Sequence, residues 1–439
     1  MSNPYSMTYG RIPDQLISRQ MQSDIVCNAF MAEHPSQQVF MITGVRGTGK
    51  TVFMTEAGRR LAEDQRFIVA ELNPEKDLLQ GLAAKLSSDH ALARIFQTAK
   101  INLSFFGLGL EVTGSVPITD IETALSKMLA SLKNKGKRVL IEIDEVTNTQ
   151  NMRTFSSAFQ IFVRQDLPVY LLMTGLYENI NALQNEKSLT FLYRAPKIEL
   201  NALNIGAVAD NYRKTFSLSQ EDALAMAKET KGYSFAFQTL GFLTYENSGN
   251  FRMVRDQYKQ YLEEYSYEKI WSELSANDRK ILIAMTTCPG GRIQDVREQL
   301  EYTTNQFNPY RKRLIRKGVI TGTERGYVHF ALPLFEKFVE ECASDDDWSD
   351  LTENPEHDEF VNEADFQGNT SKRDVIARKD SMTLAQLLEN KYEEGRAEGI
   401  AQAVCRLFAK GRNVGEIMDL LDLEKDAVEA AIQKGNKPY

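Results

Sequence analysis

Between residues 44 and 51 the chain reads Gly44-Val45-Arg46-Gly47-Thr48-Gly49-Lys50-Thr51, the spacing GxxxxGK[ST]. An apolar, β-branched run, Val39–Thr43 (VFMIT), precedes it, and helix-forming residues follow over Thr51–Ala62. Glycines let a backbone curl until successive N–H groups point inward, which makes a cradle for phosphates. At this spacing Lys50 supplies a point charge to β- and γ-phosphates, and the Thr51 hydroxyl can ligate Mg2+. All eight residues are therefore candidates for nucleotide contact. The flanking strand and helix separate this loop from a chance glycine-rich turn.

A second motif lies about ninety residues on, in Val139-Leu140-Ile141-Glu142-Ile143-Asp144-Glu145, a β-rich run ending in two carboxylates. If its strand lies beside the loop's strand, Asp144 at the tip can hold Mg2+ through water. Glu145 is then placed to orient or deprotonate an attacking water. No NKxD sequence follows, so ATP is expected rather than GTP. Phe67–Leu72, Val169–Met173 and Lys197–Leu200 are further candidate strands alternating with helical patterns, which predicts an α/β fold with a parallel sheet over residues 1–200. Ile101–Val112 (INLSFFGLGLEV) reads as a surface hairpin within it.

The 439 residues are 42% hydrophobic and 26% charged, an ordinary globular balance for about three domains. No window approaches the ~18 apolar residues of a membrane span, and Met1–Gly10 has no apolar signal core. Cys27, Cys288, Cys342 and Cys405 form no CxxC pair, so a reducing cytoplasm is the expected location. His34, His90, His329 and His357 show no metal-binding spacing. The net charge of −8 is uneven. Glu340–Ser371 holds 12 acidic and no basic side chains, while residues 1–339 carry +4. The acidic balance therefore does not exclude a basic surface elsewhere.

The two motifs resemble the AAA+/STAND branch of P-loop ATPases, nearest the origin-recognition-like and archaeal-type families, over roughly residues 10–340. The resemblance implies ATP and Mg2+ as ligands and an ATPase activity. It assigns Arg19 to the arginine before the first helix, with Ile12, Pro13 and Ile17 near the adenine. Thr174 matches the polar sensor that contacts the γ-phosphate or its water. Arg194 matches the arginine finger that reaches a neighbouring subunit's nucleotide. Residues 201–263 match the helical lid, in which Ser219 is the expected N-cap of a helix over Gln220–Thr230. The lid's usual GxxR is here Gly232-Tyr233-Ser234-Phe235, closer to the STAND pattern, which implies slow turnover and a switch reset by hydrolysis.

Residues 264–339 resemble a winged helix-turn-helix, with helices over Asp278–Thr286, Ile293–Leu300 and Thr304–Lys317 and a ribbon of Val319–Thr323 and Tyr327–Phe330. Residues 275–339 hold 11 basic and 6 acidic side chains. In that family the third helix enters the DNA major groove, so Arg311, Lys312, Arg313 and Lys317, with Arg325 on the wing, are the candidate contacts to double-stranded DNA. Leu314 and Ile315 should face the core. The alternative is a winged helix that docks a protein, in a slow signalling or scaffold NTPase of a defence or mobile-element system. Residues 340–380 read as an acidic linker. Residues 381–439 form a helical tail whose Leu387–Gly399 segment resembles the tail of the transposase-like recombination-promoting nuclease family. That family's catalytic core has no match here, so the tail is expected to serve self-association or partner docking.

Overall fold

A computed structural model of the chain describes residues 2–344, except 9, 109–115, 188, 190 and 289. The first half runs α1 (Gln20–Met31), β1 (Val39–Thr43), α2 (Lys50–Ala62), β2 (Phe67–Leu72), α3 (Leu78–Ser88) and α4 (His90–Thr98). It continues with α5 (Ile121–Lys133), β3 (Arg138–Ile143), α6 (Gln150–Arg164), β4 (Val169–Gly175), α7 (Tyr177–Gln184) and β5 (Lys197–Glu199). The five strands pair in parallel in the order β2-β3-β4-β1-β5. Every residue of β1 and β4 is buried, as a parallel sheet covered on both faces requires. Alternation along the strands divides the side chains between the two layers. Met41, Ile141, Leu171 and Met173 join the α3, α5 and α6 core, whereas Phe40 and Tyr170 meet Phe30 of α1.

The sheet corrects one expectation. The Asp144 strand is not beside the loop's strand, because β4 lies between them. Thr43 of β1 registers with Gly175 of β4, and Met173 of β4 with Ile143 of β3. β1 and β4 thus end level and β3 two residues earlier, and Thr174 stands between the glycine loop and the two carboxylates.

The second half is helical: α8 (Ile205–Phe216), α9 (Gln220–Glu229), α10 (Ser234–Glu246) and α11 (Arg255–Leu262). Ser219 caps α9 by accepting from the Asp222 N–H at 3.0 Å. A π-helical turn over Glu263–Tyr267 carries α11 into α12 (Glu268–Ser272). Then follow α13 (Ala276–Thr286), α14 (Ile293–Gln299), α15 (Thr304–Arg316), β6 (Ile320–Thr321), β7 (His329–Phe330) and α16 (Phe335–Ser344). β6 and β7 form an antiparallel ribbon of two residues each, shorter than the sequence pattern suggested. A second core joins these elements through Tyr212, Tyr258, Tyr267, Trp271, Phe335 and Phe338.

Two further expectations change. Residues 101–108 contain a single 3-10 turn, Ser104–Phe106, and no strand, while 109–112 fall outside the described residues. Residues 340–344 are the end of α16 rather than linker, because Phe338, Val339 and Cys342 bury one face of that helix. The rest of the acidic stretch and the whole tail lie outside the described residues. Among the described residues, no helix is long and apolar enough to cross a membrane.

Candidate nucleotide site

The glycine loop joins β1 to α2, and α2 begins at Lys50. Gly47 and Gly49 have φ of +81° and +87°, the left-handed region that lets the loop turn inward. Lys50 is buried, and its ammonium donates to the Gly44 and Val45 carbonyls at 3.0 and 3.2 Å. Burial, opposed by Glu145, lowers that ammonium to about 8. The loop thus already encloses a cation at the positive end of a helix, a ready anion site.

Across the sheet edge, the Thr51 hydroxyl donates to Asp144 Oδ2 at 2.7 Å. The Thr174 hydroxyl donates to Asp144 Oδ1 and accepts from the Glu145 N–H at 3.1 Å. That N–H also reaches Asp144 Oδ1 at 3.1 Å. Glu145 itself is left-handed, with φ +52°, an uncommon state for a side chain of this size that its two N–H acceptors hold in place. Thr174 therefore orients the Asp144 carboxylate and holds the backbone of Glu145. One strand position back, Glu142 is buried against α2 where Gly58 has no side chain; a Cβ there would lie 2.2 Å from its carboxyl. Burial, then Glu71 and Asp144, push this carboxyl up to about 8.

Arg19 donates to the Thr48 carbonyl at 3.3 Å and to the Ser234 hydroxyl at 3.4 Å. Ser234 also donates to the Thr48 carbonyl at 3.0 Å, and the Phe235 N–H to the Gly47 carbonyl at 3.0 Å. The buried Tyr233 hydroxyl donates to the Arg46 carbonyl at 2.6 Å and sits 2.7 Å from Ser266. The Tyr233-Ser234-Phe235 segment, read in the sequence as a departure from GxxR, thus bonds to the backbone of the loop. Arg46 reaches Glu145 at 3.8 Å and Glu273 at 2.9 Å, a residue no local pattern marked. Arg194 is exposed on the turn Leu192–Arg194 and belongs to none of these contacts.

Gly47→Ala tests this packing. A Cβ would lie 2.1 Å from the Tyr233 hydroxyl on a left-handed backbone, which combines αL strain with buried groups left unpaired. A loss of about 2–4 kcal/mol is expected from the urea midpoint, with weaker nucleotide binding.

The candidate DNA contacts divide. Arg313 pairs with Asp278 at 2.8 Å and bonds Ser275 at 2.6 Å. Lys317 reaches Glu178 of α7 at 3.3 Å and Asp278 at 3.5 Å. Their side chains are only 19% and 14% exposed, because Asp278 is fully buried and requires partner cations. Arg311 lies across Gly322, Leu314 is buried, and Lys312 and Arg325 are exposed.

A family model described as a domain of unknown function (DUF8462) matches residues 264–339. No curated protein is detectably similar to the chain in sequence. Among solved structures, a Walker-type ATPase of Pyrococcus abyssi is similar at TM-score 0.52 and 14% identity, over 74% of this chain and 96% of that one. Cdc6p of Pyrobaculum aerophilum matches at TM-score 0.39 and 15% identity, over 76% and 97% of the two chains. A STAND protein with a tetratricopeptide repeat sensor from Pyrococcus horikoshii matches at TM-score 0.36 and 17% identity, over 78% and 45%. The first likeness shows the fold alone, a five-stranded parallel α/β sheet like that of a Walker-type ATPase.

Proposed function

We propose that the chain binds ATP with Mg2+ in the 44–51 loop and hydrolyses it slowly, as a switch. The observation that carries this reading is the hydrogen bond between Thr51 and Asp144, which brings the loop and the carboxylate motif to one point 2.7 Å apart. Thr51 and Asp144 offer only hard oxygen donors, a set suited to Mg2+, and are the residues that would hold it. Bound there, the ion would neutralise phosphate charge. Lys50 exchanges its loop carbonyls for phosphate oxygens, and Arg19 braces the loop from behind. Glu145, held in position through its N–H, takes the proton of the attacking water. Arg194, exposed on its turn, is available to a second copy's nucleotide. In this reading residues 1–200 are the ATPase core, 201–263 the lid and 264–339 a winged helix. Binding of a fluorescent ATP analogue and phosphate release, each with Mg2+ and with EDTA, test the proposal. Binding without any Mg2+-dependent release over hours would reduce the site to a nucleotide holder.

The internal pairing of Arg313 and Lys317 favours, as a second reading, a winged helix whose output is a protein partner. Duplex DNA held by this unit would rest on Arg311, Lys312 and Arg325. Each phosphate contact contributes about −0.9 to the log–log salt slope, so anisotropy on labelled duplex should give a slope no steeper than about −3. A slope near −5 would mean that Arg313 and Lys317 leave their ion pairs to join the contact. Absence of duplex binding with ATP, with ADP and without nucleotide is the result expected of the protein-docking output.

A further inference from the structure

The helices after β5 share one core, distinct from that of the sheet, and Val45 of the glycine loop packs into it. The two bodies meet along the outer side of the loop. A Cβ at Gly318, just after α15, would lie 3.2 Å from the Val45 Cβ. Lys317 crosses to Glu178 on α7, and the Arg316 guanidinium lies 5.4 Å from the centre of the Tyr177 ring. At the centre of this seam stands Glu273. It is the C-cap of α12, where a negative charge opposes the helix dipole. Its position is compensated by Arg46 at 2.9 Å and Lys269 at 3.5 Å, and its own carbonyl accepts from Lys317 at 3.3 Å. Glu273 and Arg46 also both act on the charge of Lys50, which puts them within electrostatic reach of anything bound there.

We propose that Glu273 is an anionic competitor of the nucleotide's phosphates for Arg46. Docked, it seats the 201–344 body on the loop; phosphate entry draws Arg46 from it and loosens that seat. The proposal rests on the nucleotide-site reading above and names its regulation. Linkage makes the effect reciprocal: what loosens the seat tightens phosphate binding by the same factor.

Glu273→Gln in the full chain tests it, since glutamine keeps the shape and leaves the backbone bond to Lys317 in place. Affinity for a fluorescent ATP analogue should rise roughly fivefold. Amides near residues 268–274 and 313–320 should exchange faster without nucleotide, as those of the unmutated chain should with a non-hydrolysable ATP analogue. Lys317→Gln separates seating from bare electrostatics. Removing a cation near the loop weakens anion binding through space, whereas loosening the seat strengthens it, so tighter binding is the expected result. Unchanged affinity in Glu273→Gln, or tighter binding there with weaker binding in Lys317→Gln and unaltered exchange, overturns the proposal. An unmutated chain that binds no nucleotide overturns the site reading together with it. Binding that is lost in Lys50→Ala but unaffected by Glu273→Gln leaves the site standing and removes only the competition.

Discussion

Lys50→Ala should lose nucleotide binding almost entirely. The ammonium lies in the floor of the loop, buried, with its position fixed by the Gly44 and Val45 carbonyls. Phosphates arriving there displace two neutral acceptors and gain a desolvated cation, whose charge-assisted bonds are about twice as strong as neutral ones. Truncating one partner of such a buried pair costs about 2–5 kcal/mol, a loss of roughly thirty- to several-thousandfold in affinity. The folded state should change less. The ammonium is buried already, so the free protein gives up a costly desolvated charge along with two hydrogen bonds. The measurement is titration with a fluorescent ATP analogue alongside circular dichroism of the same sample. A folded variant that binds as the unmutated chain does would remove the loop from the nucleotide site.

The parts of this site that the sequence makes legible are those whose geometry is local. Residues 44–51 carry their own conformation, because the glycines, the lysine and the hydroxyl all lie within two turns of one another. The tips of strands are legible as well, since an apolar run ending in Asp144-Glu145 can finish only at an exposed sheet edge. Strand order is different. Whether β3 or β4 lies beside β1 depends on how the crossovers pack, and no residue in either strand states it. The same limit applies to Tyr233 and Glu273, whose loop partner Arg46 is 187 and 227 residues away.

The basic end of α15 divides for a related reason. Arg311, Lys312, Arg313, Arg316 and Lys317 look alike in the sequence, and the residue that sets Arg313 and Lys317 apart is Asp278, 35 residues before Arg313. A signal did exist. Asp278 opens the largely apolar α13, and a carboxylate in that setting is buried only with cations at hand. Glu142, set between Ile141 and Ile143, carries the same warning, and its accommodation by Gly58 is visible only once α2 is packed on the sheet.

Glu145→Gln should keep ATP bound while turnover falls by about 10²–10⁴-fold, the range that a positioned general base contributes. The contrast follows from what each part of Glu145 does. Its backbone N–H binds Asp144 and Thr174, and glutamine retains that N–H, so the carboxylate of Asp144 keeps its orientation. Its side chain is 55% exposed and lies 3.8 Å from Arg46, so losing that pairing costs folding about 0–1 kcal/mol. Removing one negative charge beside incoming phosphates leaves affinity equal or slightly tighter. An amide of the same shape, however, cannot accept the water's proton. Single-turnover phosphate release with excess enzyme isolates this step from binding and product release. Release at the unmutated rate would mean that the base lies elsewhere, and that the left-handed turn at Glu145 serves only to aim Asp144.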